Sequence, residues 1–305
     1  APAHRVRLAA FEIGRFPVTH REWSFFMAAG GYDDERWWDT ADARRWRRGE
    51  LIDQGRVSRY RDWRRWVQSD PSVLDRLAEE GTFRNAESEA WARRYLTADD
   101  AAFEAALAAR VIAQGSTAPS TWQDARFNRL AQPVVGVNWY EARAYCAWLS
   151  ATSGHSARLP SEVEWEAAVR GPSGRLYPWG DLFAPHLANT SEAHLFTTTP
   201  VGVFPQGDTP DGLTDGAGNV DEWTSTNYSW VDPTSGEPYP YPYPYDPRDG
   251  RESITADDGC PRVLRGGSWY KRDGFARTAY RYQGHPAVRS SDCGLRLVVS
   301  PGIAG

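Results

Sequence analysis

Apolar and polar positions alternate near the start of the chain, with Phe11, Ile13 and Phe16 set against Glu12 and Arg15. This period of two predicts a short strand. Pro17 interrupts it. Thr19, followed three residues on by Glu22, has the form of a capping box, and Trp23, Phe26 and Met27 give the helix it opens an apolar face, until Gly30–Gly31 ends it. From Asp33 to about Gln114 the pattern changes to helical spacings such as Trp63/Trp66/Val67 and Trp91/Tyr95. Asp70–Pro71 and Glu80–Gly81 mark breaks there, and Asp99–Asp100 starts a helix over Ala101–Ile112. After Pro133, Val134–Val137 predicts a strand. Asn138 caps a helix over Trp139–Ser150 with Ala142, Tyr145, Cys146 and Leu149 on one face, and Ser161 with Glu164 opens another over Glu162–Arg170. Beyond Gly171, short apolar runs between Gly, Pro, Asp and Asn predict loops and brief strands, the last at Arg262–Leu264 and Leu295–Val299. The picture is an α+β domain carrying a helical insertion, residues 33–119, packed on the main body.

Composition narrows the function classes. A chain of 305 residues, 41% hydrophobic and 13% aromatic, can bury one large core or two ordinary ones. The net charge of −5 argues against nucleic acid as the partner. No apolar run spans a bilayer and no signal-peptide pattern opens the chain at Ala1, so the default expectation is cytoplasmic. Cys146, Cys260 and Cys293 form no CxxC and read as unpaired thiols. Lys271 is the sole lysine among 35 basic residues. Two segments stay open: the Arg/Trp-rich insertion reads as solvated arginines over a tryptophan core or as a polyanion surface. The Pro-Tyr repeat within Gly236–Gly250 reads as a contact surface or as a rigid lid.

Seven blocks then fall in one order along the chain. They are Phe11–Thr19, Pro133–Ala142, Arg158–Glu166, Tyr177–Asp181, Gly218–Trp223, Arg265–Trp269 and Gly294–Leu297. Together they resemble the formylglycine-generating, sulfatase-modifying enzyme family, and everything but the insertion lies inside the match. The resemblance implies a single α+β domain related to C-type lectins. Such enzymes place two cysteines just after the Gly-Gly-Ser-aromatic motif to bind a redox metal. The matching positions here hold Lys271 and Ala276, an ammonium without a free lone pair and a methyl group. Sulfoxide synthases of thiohistidine biosynthesis, similar in their C-terminal half, hold iron with histidines. The six histidines here include no i, i+4 pair and none lies in the insertion.

A third resemblance is to the variable proteins of diversity-generating retroelements, which carry a diversified segment on the same lectin-like fold. It implies a recognition region over residues 265–297. Its changing positions would be Tyr270, Arg272, Asp273, Gly274, Phe275, Tyr282, Gly284, His285, Ala287, Val288, Ser290, Ser291, Asp292 and Cys293. Adenine-directed rewriting of AAC codons reaches all of these but neither Lys271 nor Gln283, which would be fixed. The expected activity is non-catalytic binding, most simply of a protein, with no cofactor required. The competing expectation is a divergent metal- and oxygen-dependent enzyme. The family also implies calcium near Asn219, Val220 and Glu222, where oxygen donors cluster, unless Glu222 serves the loop backbone instead.

Overall fold

The computed structural model describes residues 4–52, 54–80, 82, 83, 85–113, 116–232, 234, 238–255 and 260–300. Gly81, Gln114 and Gly236, which mark boundaries in the sequence, lie outside the described residues. The chain divides into two compact units, Ala1–Arg47 with Ser116–Gly305, and Arg48–Gly115. Residues 33–47 and 116–119, expected in the insertion, therefore belong to the larger unit.

In the larger unit the first strand, β1 (Glu12–Ile13), leads into α1 (His20–Ala28). The capping box at its start is present, with Thr19 Oγ1 accepting from the Glu22 amide and Glu22 accepting from the Thr19 amide at 2.7 Å. The helix ends at Ala28, Gly30 beyond it takes a left-handed φ of +73°, and Gly31 passes so close to the buried Phe26 ring that a Cβ there would fall 2.1 Å from it. Helix α2 (Ala41–Arg47) buries Ala43 and Trp46.

The smaller unit opens on β2 (Leu51–Ile52) and runs through α3 (Gln54–Ser69), α4 (Val73–Glu79), α5 (Ala86–Tyr95) and α6 (Asp100–Arg110) to β3 (Ile112–Ala113). Strand β3 pairs antiparallel with β2. The core of these helices is Val67, Leu74, Leu77, Leu96, Phe103 and Leu107, with Trp63 and Trp91 packed against it. Two of its arginines turn onto that core: Arg64 stacks over Phe103 at 4.5 Å and Arg110 over Trp91 at 4.6 Å.

The larger unit resumes with α7 (Trp139–Ser153), β4 (Ala157–Arg158) and α8 (Glu162–Arg170), the two helices opened by capping boxes at Asn138/Glu141 and Ser161/Glu164. Then come β5 (Asp221–Asn227), β6 (Ser229–Val231), β7 (Pro238–Pro240), β8 (Arg262–Arg265), β9 (Tyr282–Gly284), β10 (Cys293–Leu295) and β11 (Val298–Val299). One sheet has the order β10-β5-β8-β9, parallel between β10 and β5 and antiparallel elsewhere; β1-β11-β4 forms a second, antiparallel sheet, and β6-β7 a hairpin. The architecture is the expected α+β one of few helices and short strands. Val134–Val137 is not a strand. Its buried valines are held by single loop bonds, such as Val134 N–H to the Val18 carbonyl and Gly136 N–H to the Ser290 carbonyl. Among the described residues no helix is long and apolar enough to cross a membrane.

Candidate recognition surface and the charge cluster beneath it

Strand β8 ends at Arg265, and Gly266–Gly267 turns the chain under the segment that follows. Gly267 has φ +73°, and a Cβ on it would lie 3.0 Å from the Phe275 backbone, so only glycine passes there without strain. Trp269 then anchors the corner, its Nε1 donating to the Ser291 carbonyl at 3.1 Å and its ring packing on Phe127. Tyr270 emerges 70% exposed, Lys271 turns inward and Arg272 turns out again. A single 3-10 turn over Asp273–Ala276 follows, with Ala276 buried against Tyr177, Ala188 and Ala217. Strand β9 is the sheet's edge and presents Tyr282 and Gln283 to solvent.

Most of the sequence-derived site residues gather here at the surface. Tyr270, Arg272 and Tyr282 are exposed; Asp273, Gly274, Phe275, Gly284, His285, Val288, Ser290 and Ser291 are half-buried. Three are not at the surface. Ala287, Asp292 and Cys293 are buried, a correction to the expected recognition set. Cys293 opens β10 and is paired in register with Asp221 of β5. Asp292 is turned inward to accept from Ser268 Oγ at 3.0 Å and from Ser290 Oγ. Ala287 lies in the turn whose Pro286 carbonyl accepts from the first amide of α7.

Under the surface lies a cluster that sequence reasoning did not foresee. The Lys271 ammonium sits 2.5 Å from Asp221 Oδ2 and 3.2 Å from the centre of the Tyr282 ring, which covers it. Asp221, Asp292 and Cys293 bring their ligand atoms within 4.8 Å of one another, all buried. Burial pushes the Asp221 carboxyl up to about 7; Lys271 opposes the shift and Asp292 adds to it. Burial also raises the Cys293 thiol, with Asp292 and Asp221 adding to the effect. Burial alone would lower Lys271, but Asp221 holds it above its ordinary value. The available signal was that the chain's sole lysine falls inside this segment.

The residues read as calcium ligands have protein partners. Glu222 accepts from Trp165 Nε1 at 2.6 Å and from the Arg296 guanidinium at 2.8 Å, both charged side chains being fully buried. Arg296 also donates to the carbonyls of Gly14, Arg15 and Thr214, so this pair ties β1 and the Thr214 loop to the sheet. Asn219 Oδ1 accepts from the Thr199 amide at 3.0 Å, and Val220 packs its side chain with Phe127 and Val135. The donor set at the positions of the family's cysteine pair does not fit a thiolate-bound metal: Lys271 is ion-paired and Ala276 carries no donor.

Comparison with known proteins gives the frame. The hercynine oxygenase of Mycolicibacterium smegmatis is 30% identical over 97% of this chain and 54% of its own length. The formylglycine-generating enzyme of Streptomyces coelicolor is 29% identical over 97% of this chain and 80% of its own. Among solved structures, Treponema denticola variable protein 1 is similar at 26% identity and a TM-score of 0.44, over 56% of this chain and 72% of that one. The chain spans about half the length of the curated hercynine oxygenases it matches. The model of the sulfatase-modifying factor enzyme 1-like domain matches residues 1–301, and the chain belongs to that family.

Proposed function

We propose that this chain binds a ligand without catalysis, presenting Tyr270, Arg272–Phe275 and the edge strand β9 as a recognition surface in the manner of retroelement variable proteins, with a protein as partner. The observation that carries the reading is the pair Lys271 and Ala276. Where the family's oxidases need two sulfur donors, this chain has an ammonium ion-paired with Asp221 and a buried methyl group. No redox cofactor is required for binding by this surface. Exposed Tyr270, Arg272 and Tyr282 on a backbone pinned by Trp269 and the glycine corner are the kind of rigid aromatic and arginine anchors that dominate protein interfaces.

A second reading, a divergent oxygen-dependent enzyme, is favoured by the named activities of the relatives that cover 97% of this chain. Metal analysis of the purified chain, combined with oxygen-uptake measurements on a cysteine-containing peptide, separates the two. Recognition predicts neither stoichiometric copper or iron nor oxygen uptake, and turnover with bound metal would overturn it. The retroelement origin has its own check. A near-copy of the codons for Trp269–Leu297, with adenines at the changing positions and a reverse transcriptase gene beside it, is expected in the genome, and the absence of both would remove that part of the reading.

A further inference from the structure

We propose that Asp221, Asp292 and Cys293 form a cation site whose built-in occupant is the Lys271 ammonium, and that removing this tether leaves a site for a divalent transition metal. The backbone that carries the three donor groups is held by the sheet and by neighbouring loops, without the Lys271 side chain. Asp221 and Cys293 face each other across the parallel pairing of β5 and β10, and the Asp221 amide donates to the Asp292 carbonyl at 2.8 Å. Asp292 is fixed from both sides by Ser268 and Ser290. Lys271 enters from a different element, the turn after Trp269, where its amide donates to the Ser268 carbonyl at 3.0 Å.

The contact also has the character of an ion filling a cavity. Asp221 is 1% exposed, and its Oδ2 is met by the Lys271 ammonium at 2.5 Å, a charge-to-charge contact in a buried setting. Two buried carboxylates and a thiol that can ionise on metal binding are the donor set that zinc or cobalt takes, at about 2.0–2.3 Å. In the native chain the ammonium supplies the positive charge, so the cluster needs no free ion, and it also fastens the surface turn carrying Tyr270 and Arg272 to the sheet. The inference stands apart from the recognition reading, since it concerns a variant's metal affinity and not the native partner.

The test compares the parent chain with Lys271→Ala, Lys271→Met and the double variant Lys271→Ala/Cys293→Ser, titrated with Co2+ and Zn2+ after chelator treatment. Lys271→Ala is expected to take up one Co2+ with a thiolate-to-cobalt absorption band in the near ultraviolet. Excess Zn2+ should raise its unfolding midpoint by ~5 °C, as for a ligand bound well above its Kd. The parent and Lys271→Met, whose side chain fills the space, should show neither effect, and the double variant should lose the band. The proposal fails if Lys271→Ala folds and binds no Co2+, if it is unfolded and Zn2+ does not restore it, or if the band survives in the double variant.

Discussion

Arg251 is fully buried in a stretch with almost no regular structure, and the Pro-Tyr repeat is arranged around it. Its guanidinium lies 5.3, 5.6 and 4.7 Å from the Tyr241, Tyr243 and Tyr245 rings, pairs with Asp249 at 2.6 Å and donates to the Pro242 carbonyl at 2.6 Å. The tyrosines thus cover an internal cation. Of the two sequence readings of this segment, cover or contact surface, these residues favour cover, although Tyr239 remains half exposed. Removing the cation leaves Asp249 unpaired and the rings unsupported. Arg251→Ala is therefore expected to lower stability by ~3 kcal/mol in urea denaturation. Arg251→Lys should recover only part of this, because an ammonium lacks the planar fork. Equal stability of parent and Arg251→Ala would show that the rings, and not the cation, organise the segment.

Asp215 gives a pH-dependent expectation at the same scale. It is buried, and loss of water pushes its carboxyl up to about 6 although the Gly202 amide donates to it at 2.8 Å. The folded value lies above the unfolded one, so the native state holds this proton more tightly. The contribution to stability is greatest below about pH 4 and falls as pH rises through 6. Asp215→Asn keeps an acceptor for Gly202 and carries no charge at any pH. Its stability relative to the parent should therefore rise between pH 4 and pH 7 by on the order of 3 kcal/mol. A difference that stays flat across that range would show that Asp215 is charged and solvated in the folded state.

Among elements, those specified locally were legible. Helices α1, α7 and α8 were visible because a capping residue, its partner three positions on and an apolar face all lie within one short segment. What depends on distant pairing was not. Leu295–Val299 reads as one strand but is divided: β10 ends at Leu295 against β5, and β11 pairs with β1 and β4 in another sheet. The same limit governed the site. A turn-rich segment announces Tyr270, Arg272 and Tyr282, whereas the burial of Asp292, Cys293 and Lys271 depends on Asp221, set by the register of β5. The glycine corner offers a direct check on how this element is held. Gly267→Ala places a Cβ against the Phe275 backbone at positive φ, and about 2–3 kcal/mol of destabilisation is expected. Gly274→Ala, with nothing within 4 Å, should stay within about 0.5 kcal/mol of the parent. Similar losses for both in chemical denaturation would mean that the turn after Trp269, not the corner, is the constrained part.

At the scale of the whole molecule, the smaller unit has the construction of an insertion. Its first and last strands are partners, Leu51 opposite Ala113 and Ile52 opposite Ile112, so the chain enters and leaves it at one place. Its apolar core is assembled from its own helices, and its aromatic rings are stacked with its own arginines. The family blocks all lie outside it, and the sheet that carries the candidate surface is built entirely from residues 221–295. A unit whose ends meet can be replaced by a short linker at little loop-closure expense, since that entropy grows only slowly with loop length. Replacing Arg48–Gly115 by a few glycine and serine residues is therefore expected to leave a cooperatively folding chain. Its near-ultraviolet circular dichroism should keep the signature of the buried Trp139, Trp165 and Trp223, and any ligand that binds the parent at Tyr270 and Tyr282 should still bind. The excised unit alone should show helical far-ultraviolet dichroism. Collapse of the shortened chain to a molten state would show that the larger unit takes part of its stability from the insertion, and the candidate surface would then have to be understood as a property of both units together.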